Sequence, residues 1–213
     1  MPPTGYVLGA LFTKGEIPNS GSHDKRMTPE MGRAWAESVN DHGYQPVLFT
    51  DADCSFLPVT QVPVVCRGLP HTYRFVVIAA YLKRHPINGE LWCTDVRDVV
   101  MLNKPKPAPG FLYAGSESLE FNHWNWLAQF AHGCPFWGHM EKPKNLYNCG
   151  IVGGIDIVKF MLRLGSLNSV CTGLNDMHAF NYALQGHKNI VTGYPVHNVF
   201  HSFVSSDEWF MHH

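Results

Sequence analysis

Two aspartates and an arginine interrupt an apolar stretch near the middle of the chain, and these are the residues best suited to chemistry. Asp95, Arg97 and Asp98 lie between the apolar segments 91–93 and 99–102, which are typical of buried strands. Charged groups between buried segments cost free energy unless something binds them. Two carboxylates that share a site are most easily kept ionised by a divalent cation, so the spacing predicts a cation site. The structural alternative is that Asp95 and Asp98 cap a turn or pair with Arg97.

The elements around this segment alternate between strand and helix. Segments 6–13 and 45–50 have the apolar composition of buried strands, and segment 60–66 is a strand that Pro63 restricts to a sheet edge or a bulge. Between the first two, Thr28 and Pro29 predict a helix start and Gly43 predicts its end. A further helix is predicted over 71–84. This alternation indicates a mostly parallel central sheet flanked by helices, with ligands at the carboxyl ends of the strands, where Asp95 lies.

The second half of the chain is less regular. Strands are predicted over 111–114, 189–192 and 196–203, and helices over 122–132, 155–164 and 176–184. Segment 146–154 contains Gly150, Gly153 and Gly154, which predicts a tight turn or a close approach of the backbone to another group. The loop 15–27 has a length typical of a binding loop. No linker or repeat indicates a second domain, so we expect a single domain over residues 1–213.

Composition restricts the class of protein. The chain has 213 residues, 45% of them hydrophobic, enough for a substantial core, and its formal net charge of −1 gives no general attraction to nucleic acid or anionic membranes. It shows no signal-peptide pattern, and its apolar runs are too short to cross a bilayer, so we expect a soluble, cytoplasmic protein with no membrane partner. Its six cysteines form no C-x-x-C pair and are expected to be reduced, mostly buried thiols.

Several segments, in order, resemble the GT-A fold of glycosyltransferases that use nucleoside diphosphate sugars. Thr94-Asp-Val-Arg-Asp-Val-Val100 resembles a DxRD variant of their DxD motif, and Asn148-Cys-Gly-Ile-Val-Gly-Gly154 resembles their segment near the donor sugar. The helix beginning Asn175-Asp176 and the late Val199-Phe200-His201 are similar to later family motifs. The resemblance implies a GT-A-like, Rossmann-like α/β domain, with a nucleotide-binding half over about 1–102 and a sugar and acceptor half over about 103–213.

The resemblance also implies roles for individual residues. Asp95, Asp98 and His201 would hold Mn²⁺ or Mg²⁺, although Asp95 is also a candidate contact to the ribose. Asp176 is the first candidate for contacting the acceptor or acting as a base, and Glu117 is the second. The donor, a UDP- or GDP-sugar, would be bound by a larger set: Arg26, Arg74, Asp95, Arg97, Asn148, Gly150 and Gly153. The acceptor would be a glycan, a protein or a modified nucleic acid.

Three other functions are compatible with parts of this pattern. A sugar nucleotidyltransferase also needs a divalent ion, but the first strand is not followed by a compact glycine-rich phosphate loop. A carbohydrate-binding protein would use aromatic side chains such as Trp124 as a sugar platform. A zinc site would draw on His132, Cys134, His139 and Cys149, whose spacing fits no closed structural site.

Overall fold

A seven-stranded mixed sheet forms the centre of the structure. The computed structural model describes residues 3–14, 27–117, 127–141, 146–173, 175–197 and 207–212. The strand order is β3-β2-β1-β4-β7-β6-β8. The bounds of these strands are β1 (Tyr6–Leu11), β2 (Gln45–Thr50), β3 (Thr60–Pro63), β4 (Glu90–Thr94), β6 (Leu112–Ser116), β7 (Tyr147–Ile155) and β8 (Ile190–Thr192). A second sheet pairs β5 (Val99–Met101) with β9 (Phe210–His212) in antiparallel register.

All strands of the large sheet run in one direction except β7. Four of its six pairings are parallel, and the two antiparallel ones are those of β7 with β4 and with β6. The predicted α/β architecture with a mostly parallel sheet is therefore confirmed. β3 lies at one edge of the sheet, as Pro63 predicted, because proline cannot donate to a central ladder.

Helices cover both faces of the sheet. They are α1 (Arg33–Asp41), α2 (Pro70–Arg84), α3 (Val158–Asn168) and α4 (Asp176–Leu184), with 3₁₀ turns at Pro29–Gly32 and Trp137–His139. Successive side chains of β1 enter different clusters: Leu8 packs with Phe75 of α2, and Val7 packs with Trp35 of α1. Each fully buried side chain of this size stabilises the fold by about 1.5–3 kcal/mol.

Glycine allows two close approaches in this core. A Cβ on Gly165 of α3 would lie 2.2 Å from the Cβ of Ala79, so this glycine allows α3 to pack tightly on α2. The glycine-rich segment around Gly153 forms the buried strand β7, between β4 and β6. Of the two possibilities left open for that segment, the close approach applies and the tight turn does not.

Other predicted elements differ from the structure in detail. Thr28 precedes the 3₁₀ turn, but its side chain makes no capping hydrogen bond. Segment 99–102 was expected as a strand, and its strand β5 belongs to the small sheet. Val196 and His197 lie outside any strand, and the rest of the strand predicted over 196–203 falls outside the described residues, as do most of loop 15–27, Trp124 and His201. All six cysteines are free thiols, four of them buried, as expected. Within the described ranges, no helix has the length and apolarity that a bilayer crossing requires.

Candidate functional site

The strand order reverses between β1 and β4. From β1 the chain continues to β2 and β3 on one side, and it then returns to place β4 on the other side of β1. In open α/β sheets, ligands bind outside the carboxyl ends of the strands at this kind of reversal. A cleft lies at that position, and we call it the switch-point cleft. It is lined by Ala10, Phe12, Met27, Pro70, His71, Arg74, Asp95, Val96, Arg97 and Asp98.

Arg74 of α2 is the central cation of the cleft. Its guanidinium forms an ion pair with Asp95, and its Nη2 lies 3.2 Å from Oδ2 of Asp176 and 3.1 Å from Sγ of Cys149. Its Nε donates to the carbonyl of His71 at 3.1 Å. Only 14% of the Arg74 side chain is exposed, so the guanidinium is held in one orientation by these contacts.

Asp176 begins α4 and is ionised in this arrangement. Burial alone would raise its pKa, but the positive charge of Arg74, the nearby His71 and hydrogen bonds from Cys149 and the Met177 amide outweigh burial and lower its pKa. Burial raises the pKa of the Cys149 thiol well above its ordinary value, and the neighbouring Asp176 raises it further. Cys149 is therefore a thiol that donates to Asp176, at a distance of 3.4 Å.

Asp98 and Arg97 lie at the outer wall of the cleft. Arg97 Nε is 3.4 Å from Asp98 Oδ1, and both side chains are 41% exposed. An ion pair this exposed contributes little to stability, so either partner can turn toward a ligand. In the same cleft, burial lowers the pKa of His71 despite the nearby Asp176 and Asp98, so His71 is neutral at pH 7.

The antiparallel direction of β7 extends the site toward the second half of the chain. Thr94 at the end of β4 pairs with Ile151, so the preceding residues of β7 lie beside Asp95. The Asp95 amide donates to the Gly150 carbonyl at 2.8 Å, and the Gly150 amide donates to Oδ1 of Asn148 at 2.6 Å. Asn148 in turn donates from Nδ2 to Oε1 of Glu117 at 2.5 Å. A continuous hydrogen-bonded chain thus connects the acidic motif to Glu117.

Gly150 and Gly153 have different surroundings. A Cβ on Gly150 would lie 3.0 Å from Oδ2 of Asp95 and 2.6 Å from Cε1 of His212, so a larger residue here would displace side chains of the site. A Cβ on Gly153 would lie 2.0 Å from the ring of Trp92, and this packing alone accounts for the glycine there. The predicted contact of Gly153 with a donor stays a prediction.

The structure therefore brings most predicted site residues together. Arg74, Asp95, Arg97, Asp98, Asn148, Gly150, Asp176 and Glu117 lie along the carboxyl ends of β1, β4 and β6 and the start of β7. Arg26 and His201 fall outside the described residues. Two neighbours, His71 and His212, were not predicted, and Cys149 was named only within the segment 148–154 and as a possible zinc ligand. His212 reaches Gly150 because β9 pairs with β5, with His212 opposite Val99, and this pairing has no signal in the local sequence.

The donor atoms at the cleft suit a hard divalent cation. Magnesium-type ions are commonly held by one or two carboxylates, with the remaining ligands coming from substrate phosphates and water. Asp95 and Asp98 supply two such carboxylates at the wall of one cleft. Within the described ranges, no group of three or more His, Cys, Asp or Glu side chains is arranged to hold a metal ion. The four residues of the zinc alternative all lie in these ranges.

No protein-family model matches the chain, and no curated protein is significantly similar to it.

Proposed function

We propose that the protein is a metal-dependent glycosyltransferase that moves a sugar from a UDP- or GDP-sugar to an acceptor hydroxyl. The observation that carries the proposal is that the switch-point cleft presents anion-binding and cation-binding groups side by side. Pro70 and His71, at the N-terminus of α2, line the same cleft as Arg74, Asp95 and Asp98. A diphosphate with its divalent cation needs both kinds of group.

The anion-binding side consists of α2 and its arginine. The first amide groups of a helix have no partners within the helix and favour a negatively charged ligand. A guanidinium suits phosphate because it donates two parallel hydrogen bonds. Arg74 lies one turn into α2, so both features face one cleft.

The charge balance favours a diphosphate that arrives with its cation. Among the described residues, three carboxylates (Asp95, Asp98 and Asp176) and two guanidiniums (Arg74 and Arg97) are gathered here, and they carry one negative charge in excess while His71 is neutral. A bare diphosphate would be repelled by that excess, whereas a metal–diphosphate pair would not. When bound, the cation would stabilise the charge that develops on the leaving diphosphate.

Arg74 has to change partners when the donor binds. Its guanidinium now neutralises both Asp95 and Asp176. Asp95 and Asp98 would hold the cation, whose charge would neutralise Asp95, and the Arg74 guanidinium would then be free to donate to a phosphate. Its link to Asp176 keeps it at the cleft during this exchange.

On the acceptor side, Asn148 and Gly150 would line the donor-sugar pocket, and Asp176 and Glu117 would face the acceptor. The lowered pKa of Asp176 and its ion pair with Arg74 make it a weak base, so we assign it to contact with the acceptor and to positioning of Arg74. Glu117, oriented by its 2.5 Å hydrogen bond from Asn148, is the better placed carboxylate for accepting the hydroxyl proton. The acceptor is a glycan, a protein or a modified nucleic acid.

The test is calorimetric binding of UDP and GDP with and without Mn²⁺ to the wild type and to Asp98→Asn. We expect Mn²⁺-dependent binding in the wild type and its loss in Asp98→Asn. This variant should fold normally because the Asp98 side chain is half-exposed and its one ion pair among the described residues is the exposed pair with Arg97. Asp41→Asn, at an exposed carboxylate in the last turn of α1, is the matched control and should bind like the wild type. Thermal shift gives an independent measurement, since a ligand at a hundred times its Kd stabilises by about 2.7 kcal/mol.

Unchanged Mn²⁺-dependent binding in Asp98→Asn would show that the metal assignment is wrong. Incubation with nucleotide-sugars separates the reaction classes. A transferase that leaks to water releases the nucleoside diphosphate, a nucleotidyltransferase makes pyrophosphate, and a carbohydrate-binding protein does neither.

A further inference from the structure

A second cavity, of about 500 Å³, lies on the other flank of α2. One wall is a face of α2 that includes Tyr73, Val77, Tyr81 and Arg84, which recur at helical spacing, and the other wall is segment 61–67, from β3 onward. We call this cavity the edge groove. α2 packs over β1 and β2, and the sheet extends beyond this helix to the edge strand β3. The groove lies between α2 and that edge of the sheet.

We infer that the edge groove binds a small organic anion with an aromatic or apolar body. Its walls combine tyrosine rings and aliphatic side chains with Arg67, Arg84 and His85. None of the described residues that line it is acidic. Such a lining favours a flat apolar group that carries a carboxylate, phosphate or sulfonate.

Three arginines elsewhere in the fold are held in ion pairs, whereas the two arginines of the groove, like Arg163 of α3, have none within the described ranges. Arg33, Arg74 and Arg97 each lie within 4.0 Å of a carboxylate. Arg67 and Arg84 have no such partner among the described residues, and both are exposed at the groove. Their charges are therefore available to a ligand without first breaking an internal ion pair.

The dimensions of the groove favour a small molecule over a peptide strand. Pockets for small ligands commonly enclose about 300–1,000 Å³, and this cavity lies within that range. A peptide could add to β3 only through its free backbone edge, and β3 has four residues, the last of which is Pro63. A proline in a short edge strand is a feature that prevents strand addition.

The edge groove is separate from the switch-point cleft, although one helix serves both. No residue in the described part of the chain lines both cavities. They meet at the contact between Phe12 of the cleft and Tyr73 of the groove, whose ring centroids are 6.0 Å apart. The inference does not depend on the proposed transferase activity, and its test can fail without affecting that proposal.

The experiment uses a pair of fluorescent probes that differ in one charge. 8-Anilinonaphthalene-1-sulfonate carries a sulfonate on an aromatic body, and N-phenyl-1-naphthylamine has the same rings without it. We expect the full-length protein to bind the sulfonate more tightly, and we expect Arg67→Gln and Arg84→Gln each to weaken that binding about fivefold or more. Arg163→Gln, at an exposed arginine of α3 outside the groove, removes the same charge and should leave binding unchanged.

A substitution that fills the edge groove tests directly whether the probes bind there. Ala80 is an exposed helix residue that lines the groove, so Ala80→Trp should fold normally, as circular dichroism would check, and block both probes. The inference is overturned if the sulfonate does not bind, or if the uncharged probe binds equally well. It is also overturned if Arg67→Gln and Arg84→Gln bind the sulfonate as tightly as Arg163→Gln does, or if Ala80→Trp binds the probes as the wild type does.

Discussion

Arg74 and Asp176 are 102 residues apart in the chain, yet Nη2 of the arginine lies 3.2 Å from Oδ2 of the aspartate, and both side chains are less than 15% exposed. The same guanidinium is paired with Asp95. The guanidinium of Arg74 therefore connects the N-terminal turns of α2 and α4 to the segment after β4. This three-element contact determines the geometry of the cleft.

Replacing Arg74 should destabilise the fold and disorder the cleft. Arg74→Met keeps much of the side-chain volume but leaves Asp95 and Asp176 without their counter-ion, so we expect the free energy of unfolding at pH 7 to fall by about 3 kcal/mol. Urea denaturation measures this change. Arg74→Lys keeps the charge but loses the planar group that contacts both carboxylates. Its free energy of unfolding should therefore lie between those of the wild type and Arg74→Met.

A second measurement distinguishes the role of Arg74 as a counter-ion from its role in packing. Divalent cations should restore part of the stability of Arg74→Met, because a cation at Asp95 replaces the missing charge. If Mn²⁺ stabilises the wild type and Arg74→Met equally, Arg74 and the cation do not share Asp95.

The ionised Asp176 should make stability depend on pH in the acidic range. Its pKa is lower in the folded protein than its ordinary value near 3.8, so the stability it supplies is present in full above that value and is lost as the pH falls through the folded pKa. The difference in unfolding free energy between wild type and Asp176→Asn should therefore be largest near pH 7 and shrink below about pH 4. Denaturation curves at several pH values measure it, and a difference that grows toward low pH would contradict the assignment.

The site residues that could be predicted from the sequence are those marked by the residues next to them in the chain. Asp95 and Asp98 interrupt an apolar run, and the alternation of strands with helices predicts that such an interruption lies at the carboxyl edge of a parallel sheet. Asn148 and Gly150 could be selected because glycine within an apolar strand indicates close approach. These signals are contained within about ten residues of sequence.

The rest of the site could not be predicted, because it depends on contacts between segments that are distant in the sequence. The pairing of Arg74 with Asp176 joins two helices across 102 residues of the chain. The antiparallel direction of β7 beside β4 has no signal within 147–155 either. His212 approaches Gly150 only because β9 pairs with β5, across more than a hundred residues. Cys149 was within a selected segment, but its contact with the guanidinium depends on that same antiparallel pairing.

The two glycines of β7 provide a matched pair that distinguishes a role in the site from a role in packing. In Gly153→Ala the new Cβ would collide with the Trp92 ring, so we expect a loss of about 1–3 kcal/mol in stability and normal nucleotide affinity for the folded fraction. In Gly150→Ala the Cβ would approach Asp95 and His212, and we expect Mn²⁺-dependent nucleotide binding to weaken at least tenfold. Calorimetry at a temperature where both variants are folded makes the comparison. Equal affinity losses in the two variants would show that β7 affects binding through stability alone.

The last prediction concerns the histidine ligand of the proposed cation site. By resemblance it is His201, and a nitrogen ligand favours Mn²⁺ over Mg²⁺, so His201→Ala should reduce Mn²⁺-supported activity more than Mg²⁺-supported activity. His197→Ala is the control. His197 is fully buried and its Nε2 accepts the Ser116 amide at 2.7 Å, so its loss should cost about 1–3 kcal/mol of stability without changing the metal preference. His212→Ala completes the series, because the structure places His212 beside Gly150 and the acidic motif. If the Mn²⁺ preference disappears in His212→Ala and persists in His201→Ala, the ligand is His212, and the assignment by resemblance is wrong.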